Sequence, residues 1–257
     1  MPSPSEVDNF QRLLASLSAL AVVAVTDLWN KLSTVDTETR WKALHDAYPA
    51  TVDPFMVAAA VLSAEWYSSI NKASSFAVET APPIAQDVLH VNVGWALSQT
   101  DPLANLAGSV ERQVFNSSRD TVLSNVRRQG VRYARYASAN ACSFCQILAL
   151  NENYRTEFSA VRVVGQSGRP RGSQKAGEKF HDNCHCIPVP VFDGEPYTPP
   201  DYVQQWATQY DNARAEVGGN TNDIINHMRR NQYPDVKDRL NAERRQRYEQ
   251  KKIQQGQ

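Results

Sequence analysis

The sequence predicts a mainly α-helical protein: a helical N-terminal region, a small zinc-stapled α+β module, and a charged helical tail. Three observations carry that prediction. Apolar residues recur at steps of three and four through the first 140 positions. All four cysteines fall between 142 and 186, and helical spacing returns after 193 with heavy charge. A composition of 42% hydrophobic and 21% charged residues over 257 positions excludes a disordered chain and suits a soluble folded one.

Residues 1–118 form the helical bundle region. From Phe10, a stripe through Leu13, Leu17, Leu20, Ala24 and Leu28 has the spacing of one buried helix face. The longest apolar run, residues 13–25, is broken by two serines and is shorter than the roughly 20 residues a bilayer-spanning helix needs. Glu6 and Asp8 precede it against only Arg12, the wrong charge for a secretory signal, so synthesis in the cytoplasm and no membrane partner are expected. Asp53-Pro54 and Asp101-Pro102 both read as helix starts, an aspartate cap followed by proline at the first helical position. Phe55, Ala58, Leu62 and Trp66 then share a face, as do Leu103, Leu106, Val110 and Val114. Pro82-Pro83 separates two helices, because neither residue can continue the preceding one.

Residues 119–192 hold a basic helix and the cysteine module. Helical spacing continues over 119–136 with Arg119, Arg127, Arg128, Arg132 and Arg135 against a lone Asp120. Residues 165–177 are a loop by composition, and residues 187–192 alternate proline with apolar side chains, which suits an extended exit or an edge strand. Residues 193–257 open with a turn-rich segment and continue as three short helical patterns. The last, over 235–252, is charged enough to be a solvated helix.

The chemistry lies in one cluster: Cys142-Ser143-Phe144-Cys145, 35 residues, then His181-Asp182-Asn183-Cys184-His185-Cys186. A tetrahedral zinc ion takes four thiolate or imidazole ligands, and a C-x-x-C turn delivers two of them. The candidate ligands are Cys142, Cys145, His181, Cys184 and Cys186. In an extended segment, Cys184 and Cys186 point to one face and His185 to the other, which sets His185 aside. One structural zinc ion is expected. A redox dithiol at Cys142 and Cys145, or buried cysteines without a ligand, are the competing readings.

Catalytic chemistry is not expected. Zinc deaminases place H-x-E before P-C-x-x-C, the reverse of the order here. A catalytic zinc keeps a coordination position open, whereas this cluster supplies surplus ligands. The glycine spacing of residues 172–177 lacks the Lys-Ser/Thr of a phosphate loop.

The net charge of zero divides unevenly. Residues 1–118 carry six Lys/Arg against twelve Asp/Glu, and residues 119–257 carry 21 against 15. A basic second half could neutralise phosphates without reading bases. Arg127, Arg128, Arg132, Arg135, Arg169, Arg171 and Lys175 are the candidate nucleic-acid contacts.

A helical front half, then C-x-x-C, a variable loop and H-x-N-C-x-C leading into Ile187-Pro188-Val189-Pro190-Val191 resembles the MuF-like minor head proteins of tailed bacteriophages. The resemblance covers roughly residues 130–192. The family more often has proline after the histidine and arginine between the last cysteines, where this chain has Asp182 and His185. The resemblance implies a structural protein inside the phage head near the portal, made in the host cytoplasm, with a role in head assembly or genome delivery. Its implied partners are the portal protein, the capsid shell and packaged DNA bound without sequence specificity. A zinc-containing nucleic-acid-binding protein is the alternative.

Overall fold

The computed structural model describes residues 1–73, 75–150 and 184–233. Among them are seven helices and one two-stranded sheet: α1 (Pro4–Lys31), α2 (Thr37–Ile70), α3 (Gln86–Leu97), α4 (Pro102–Gln129), β1 (Arg132–Tyr136), α5 (Ser143–Ala149), β2 (Ile187–Val191), α6 (Tyr202–Val217) and α7 (Thr221–Gln232). The mainly helical class with a small α+β element is as expected. The 165–177 loop and the 235–252 helix lie outside the described residues.

Local chemistry starts the helices cleanly. Ser3 and Glu6 form a capping box on α1, Asp36 caps α2 through the N–H groups of Glu38 and Thr39, and Asp101 caps α4 ahead of Pro102. Gly130 ends α4 with φ 73°, a left-handed conformation that costs glycine little, and the chain turns directly into β1. The basic stretch 119–136 is therefore not one helix: its last residues, including Arg132 and Arg135, form a strand.

Two more expectations change. Asp53-Pro54 is not a helix start, because α2 runs unbroken from Thr37 to Ile70 with Pro49 and Pro54 inside it. A proline inside a helix typically costs about 3 kcal/mol. Burial of Leu44, Tyr48, Val52, Met56, Ala59 and Tyr67 along α2 opposes that cost. In α1 the buried stripe is Val7, Phe10, Leu14, Ala21 and Val25, while Leu13 and Leu20 are 57% and 60% exposed. The helix is turned by one residue from the expected stripe. Residues 13–25 are apolar almost all the way round, so periodicity alone does not choose which face packs.

α4 is the central element, touching α1, α2, α3 and both strands. Its Leu106, Val110, Val114 and Phe115 meet the buried faces of α1 and α2, and Phe10 stacks on Trp66 at 4.3 Å between those two helices. Polar side chains on α4 also hold the strap that joins α2 to α3. Asn125 accepts from the Glu79 N–H and donates to the Glu79 carbonyl, at 3.0 and 2.6 Å, and Thr121 accepts from the Ala81 N–H at 3.0 Å.

β1 and β2 are antiparallel, with Arg132 opposite Val191 and Tyr136 opposite Ile187. Pro188 and Pro190 sit two residues apart, so both missing N–H groups fall on the same side of the ribbon, away from the ladder that Ile187, Val189 and Val191 serve. Ala134, Tyr136, Ile187, Val189 and Val191 join the same hydrophobic core as the helices. The ribbon, and with it the cysteine segment, is thereby fixed against α4. The opposite end of the module packs on the tail, where Ile147 of α5 meets Ala213 of α6 and Ile224, Ile225 and Met228 of α7.

Candidate metal centre

Cys142 is the N-cap of α5 and Cys145 lies in its first turn, so the C-x-x-C segment is a helix start. Cys184 and Cys186 lie on the segment that leads into β2. The Sγ atoms of Cys145, Cys184 and Cys186 all lie within 4.8 Å of one another, with Cys145 and Cys184 at 3.5 Å, and no disulfide joins them. All three are buried. Cys142 is half-buried and adjoins Cys145. A tetrahedral ion with metal–sulfur bonds of about 2.3 Å spaces its sulfurs by about 3.8 Å. The three thiols are close enough to share one ion, while Cys142 hydrogen-bonds to Cys145 at the margin of this group. His181 lies outside the described residues, as do Arg169, Arg171 and Lys175.

Crowding keeps Cys145 and Cys186 protonated when no cation is present. Hydrogen bonding to Cys142, Cys184 and Cys186, reinforced by burial, pushes Cys145 far above the ordinary thiol range. Cys186 is raised well above it too. Its hydrogen bond with Cys145 acts to lower it, but is outweighed by Cys184 and by burial. A divalent ion reverses that balance by stabilising the thiolates.

His185 faces away from the sulfurs, as alternation along an extended segment requires. Its ring stacks on Phe115 at 4.8 Å and Nε2 lies 3.6 Å from Glu111 Oε1, while its carbonyl accepts from Gln11 Nε2 at 2.6 Å.

The residue that sequence reasoning placed wrongly is Arg119. It read as one of a basic series, yet it is 1% exposed and is part of the centre. Its Nε donates to the Cys186 carbonyl at 2.9 Å, Nη2 donates to the Cys184 carbonyl, and Nη1 donates to Asn116 Oδ1 at 2.9 Å. The guanidinium lies 5.2 Å above the Phe115 ring. Burial lowers its pKa to about 10, partly offset by Cys184 and Cys186, so it stays cationic at neutral pH. The signal was present: Phe115, Arg119, Val122 and Val126 follow one another at helical spacing, so Arg119 falls on a buried stripe.

The tail closes the centre. Val203 and Trp206 of α6 pack with Cys145, Cys184 and Cys186, and Tyr202 donates to the Ala137 carbonyl at 2.8 Å. Below, Gln232 of α7 donates to the Ala141 carbonyl at 2.7 Å and accepts from Ser143 at 2.9 Å, holding the turn before α5.

The arginines expected to contact nucleic acid do not share one surface role. Arg135 is buried in β1 at 2% exposure, which removes it from a phosphate-facing surface. Arg128 pairs with Glu79 at 2.7 Å and covers Phe76, Arg127 is exposed, and Arg132 is half-buried.

No curated protein and no solved structure matches the chain. The family described as VG15 protein matches residues 1–213, from the N-terminus into α6 and across all four cysteines. By a match over most of its length, this chain belongs to the VG15 protein family, a family of phage gene products.

Proposed function

We propose that this protein is a structural minor head protein of a tailed phage, of the MuF-like kind, in the virion interior near the portal. It would contribute there to head assembly or genome delivery. The observation that carries the reading is the closed thiol centre: sulfurs sealed by Trp206 and tied through Arg119 to the central helix, in a chain of a phage family. Buried thiols of this kind staple a fold, so the reading is non-catalytic. The ion proposed is one zinc per chain, because four thiolate or imidazole ligands in a closed shell are its usual structural setting.

The test is quantitative mass spectrometry of purified heads. The chain should be present at low copy in DNA-filled virions and cross-link to the portal protein or the capsid shell. Its absence from both immature and mature heads would overturn the proposal. DNA contact is the second reading, supported by exposed Arg127. It predicts weak duplex binding without sequence preference that falls as salt rises, and no binding at low salt would end it.

A further inference from the structure

The turn of α1 away from its expected face leaves an apolar surface on the outside of the bundle. Leu13, Leu20 and Val23 are 57%, 60% and 56% exposed, and no charged residue occurs between Arg12 and Asp27. The exposed positions in this stretch are 12, 13, 16, 19, 20, 23 and 27. Their order is symmetric about the midpoint between 19 and 20: 12 mirrors 27, 16 mirrors 23, and 19 mirrors 20. Leu13 alone mirrors a half-buried residue, Thr26.

A surface with that symmetry is complementary to itself when two copies run antiparallel, the geometry of an isologous two-fold contact. We propose that α1 is the contact surface for a second copy of this chain, paired antiparallel about residues 19 and 20. Leu20 then packs against Ala19 of the other copy and Val23 spans its Ser16, in the three-and-four spacing that lets helices cross at a shallow angle. Charge fixes the direction. Arg12 of each copy meets Asp27 of the other, whereas a parallel pair would set Arg12 against Arg12 and Asp27 against Asp27. Arg12 also pairs through Nε with Asp8 of its own helix at 2.9 Å and donates through Nη2 to Asn9 Oδ1 at 2.5 Å, but its side chain is 69% exposed and the guanidinium has further N–H donors with which to reach a second carboxylate. Sixteen residues span about 24 Å of helix. A single helix face of that length lies at the low end of interface sizes, so the dimer should dissociate on dilution.

α1 is also long and apolar enough to cross a bilayer by length and composition, and the experiment separates that outcome. Sedimentation equilibrium of the zinc-loaded full chain, over a wide concentration range, should show a monomer passing to a dimer. Leu20→Glu should remain monomeric at every concentration. Arg12→Asp and Asp27→Arg should each weaken self-association at least tenfold, and mixing these two variants should restore it, since both cross-pairs are then opposite in sign. A native chain that is monomeric throughout, a dimer indifferent to Leu20→Glu, or no recovery on mixing would overturn the proposal. So would association seen only with phosphatidylcholine vesicles.

Discussion

Replacing Arg119 with methionine should loosen the metal centre without touching a sulfur. The guanidinium donates to the carbonyls of Cys184 and Cys186, and methionine keeps most of the stem over Phe115 but offers no donor. A buried acceptor left without its partner costs about 1–3 kcal/mol, so two cost about 2–6 kcal/mol. Relief from burying a cation returns part of this. The net loss expected is about 2–4 kcal/mol, which lowers Tm by roughly 4–16 °C in a protein of this size. Groups that orient metal ligands typically change affinity by about 10–100-fold when removed, and that weakening is expected for zinc in competition with a chromophoric chelator. Arg119→Lys should recover little of it, because one ammonium cannot fork to two carbonyls. Scanning calorimetry of the zinc-loaded and stripped proteins checks the stability term. Native zinc affinity and native Tm in Arg119→Met would refute the reasoning that the arginine holds the ligand segment in shape.

Elemental analysis should give one zinc per chain, lost in Cys145→Ser and kept in His185→Ala, whose ring lies on Phe115 and not among the sulfurs. Trp206→Ala should cost about 3–5 kcal/mol and make the thiols react with a disulfide reagent many times faster, because α6 covers them. Stability should depend on pH in opposite senses with and without metal. Zinc-bound thiolates are protonated by acid, so the loaded protein loses stability as pH falls. The stripped protein holds Cys145 and Cys186 above their unfolded values, so its stability is full below about pH 8.5 and declines as pH rises past that point. Urea titrations across pH measure both. Asn125→Ala should remove both bonds to the Glu79 backbone and raise amide exchange across the strap by roughly tenfold, about 1.4 kcal/mol, with α1 unaffected.

The helical class and the thiol cluster were legible in the sequence because each leaves a local mark: capping residues, periodic apolar positions, and cysteines confined to one stretch. What was hidden depended on tertiary choices. The orientation of α1 could not be read from a helix apolar on nearly every side. The passage of α2 through Pro49 and Pro54 required burial along the helix to outweigh a local breaker. Arg119 and Arg135 looked like solvated charge because burying an arginine is normally costly, and it took acceptors from a distant segment, the carbonyls of Cys184 and Cys186, to help make Arg119 tolerable inside.

Pro188 and Pro190 have a consequence beyond the ladder they spare. The outer margin of β2 offers no amide donors at those two positions, so another extended segment would find only half of a backbone ladder there. A two-stranded ribbon would otherwise be an open template, and the hazard grows with local concentration. The prolines thereby protect the cysteine-bearing segment from strand exchange between neighbouring copies, while the amides of Ile187, Val189 and Val191 stay committed to β1.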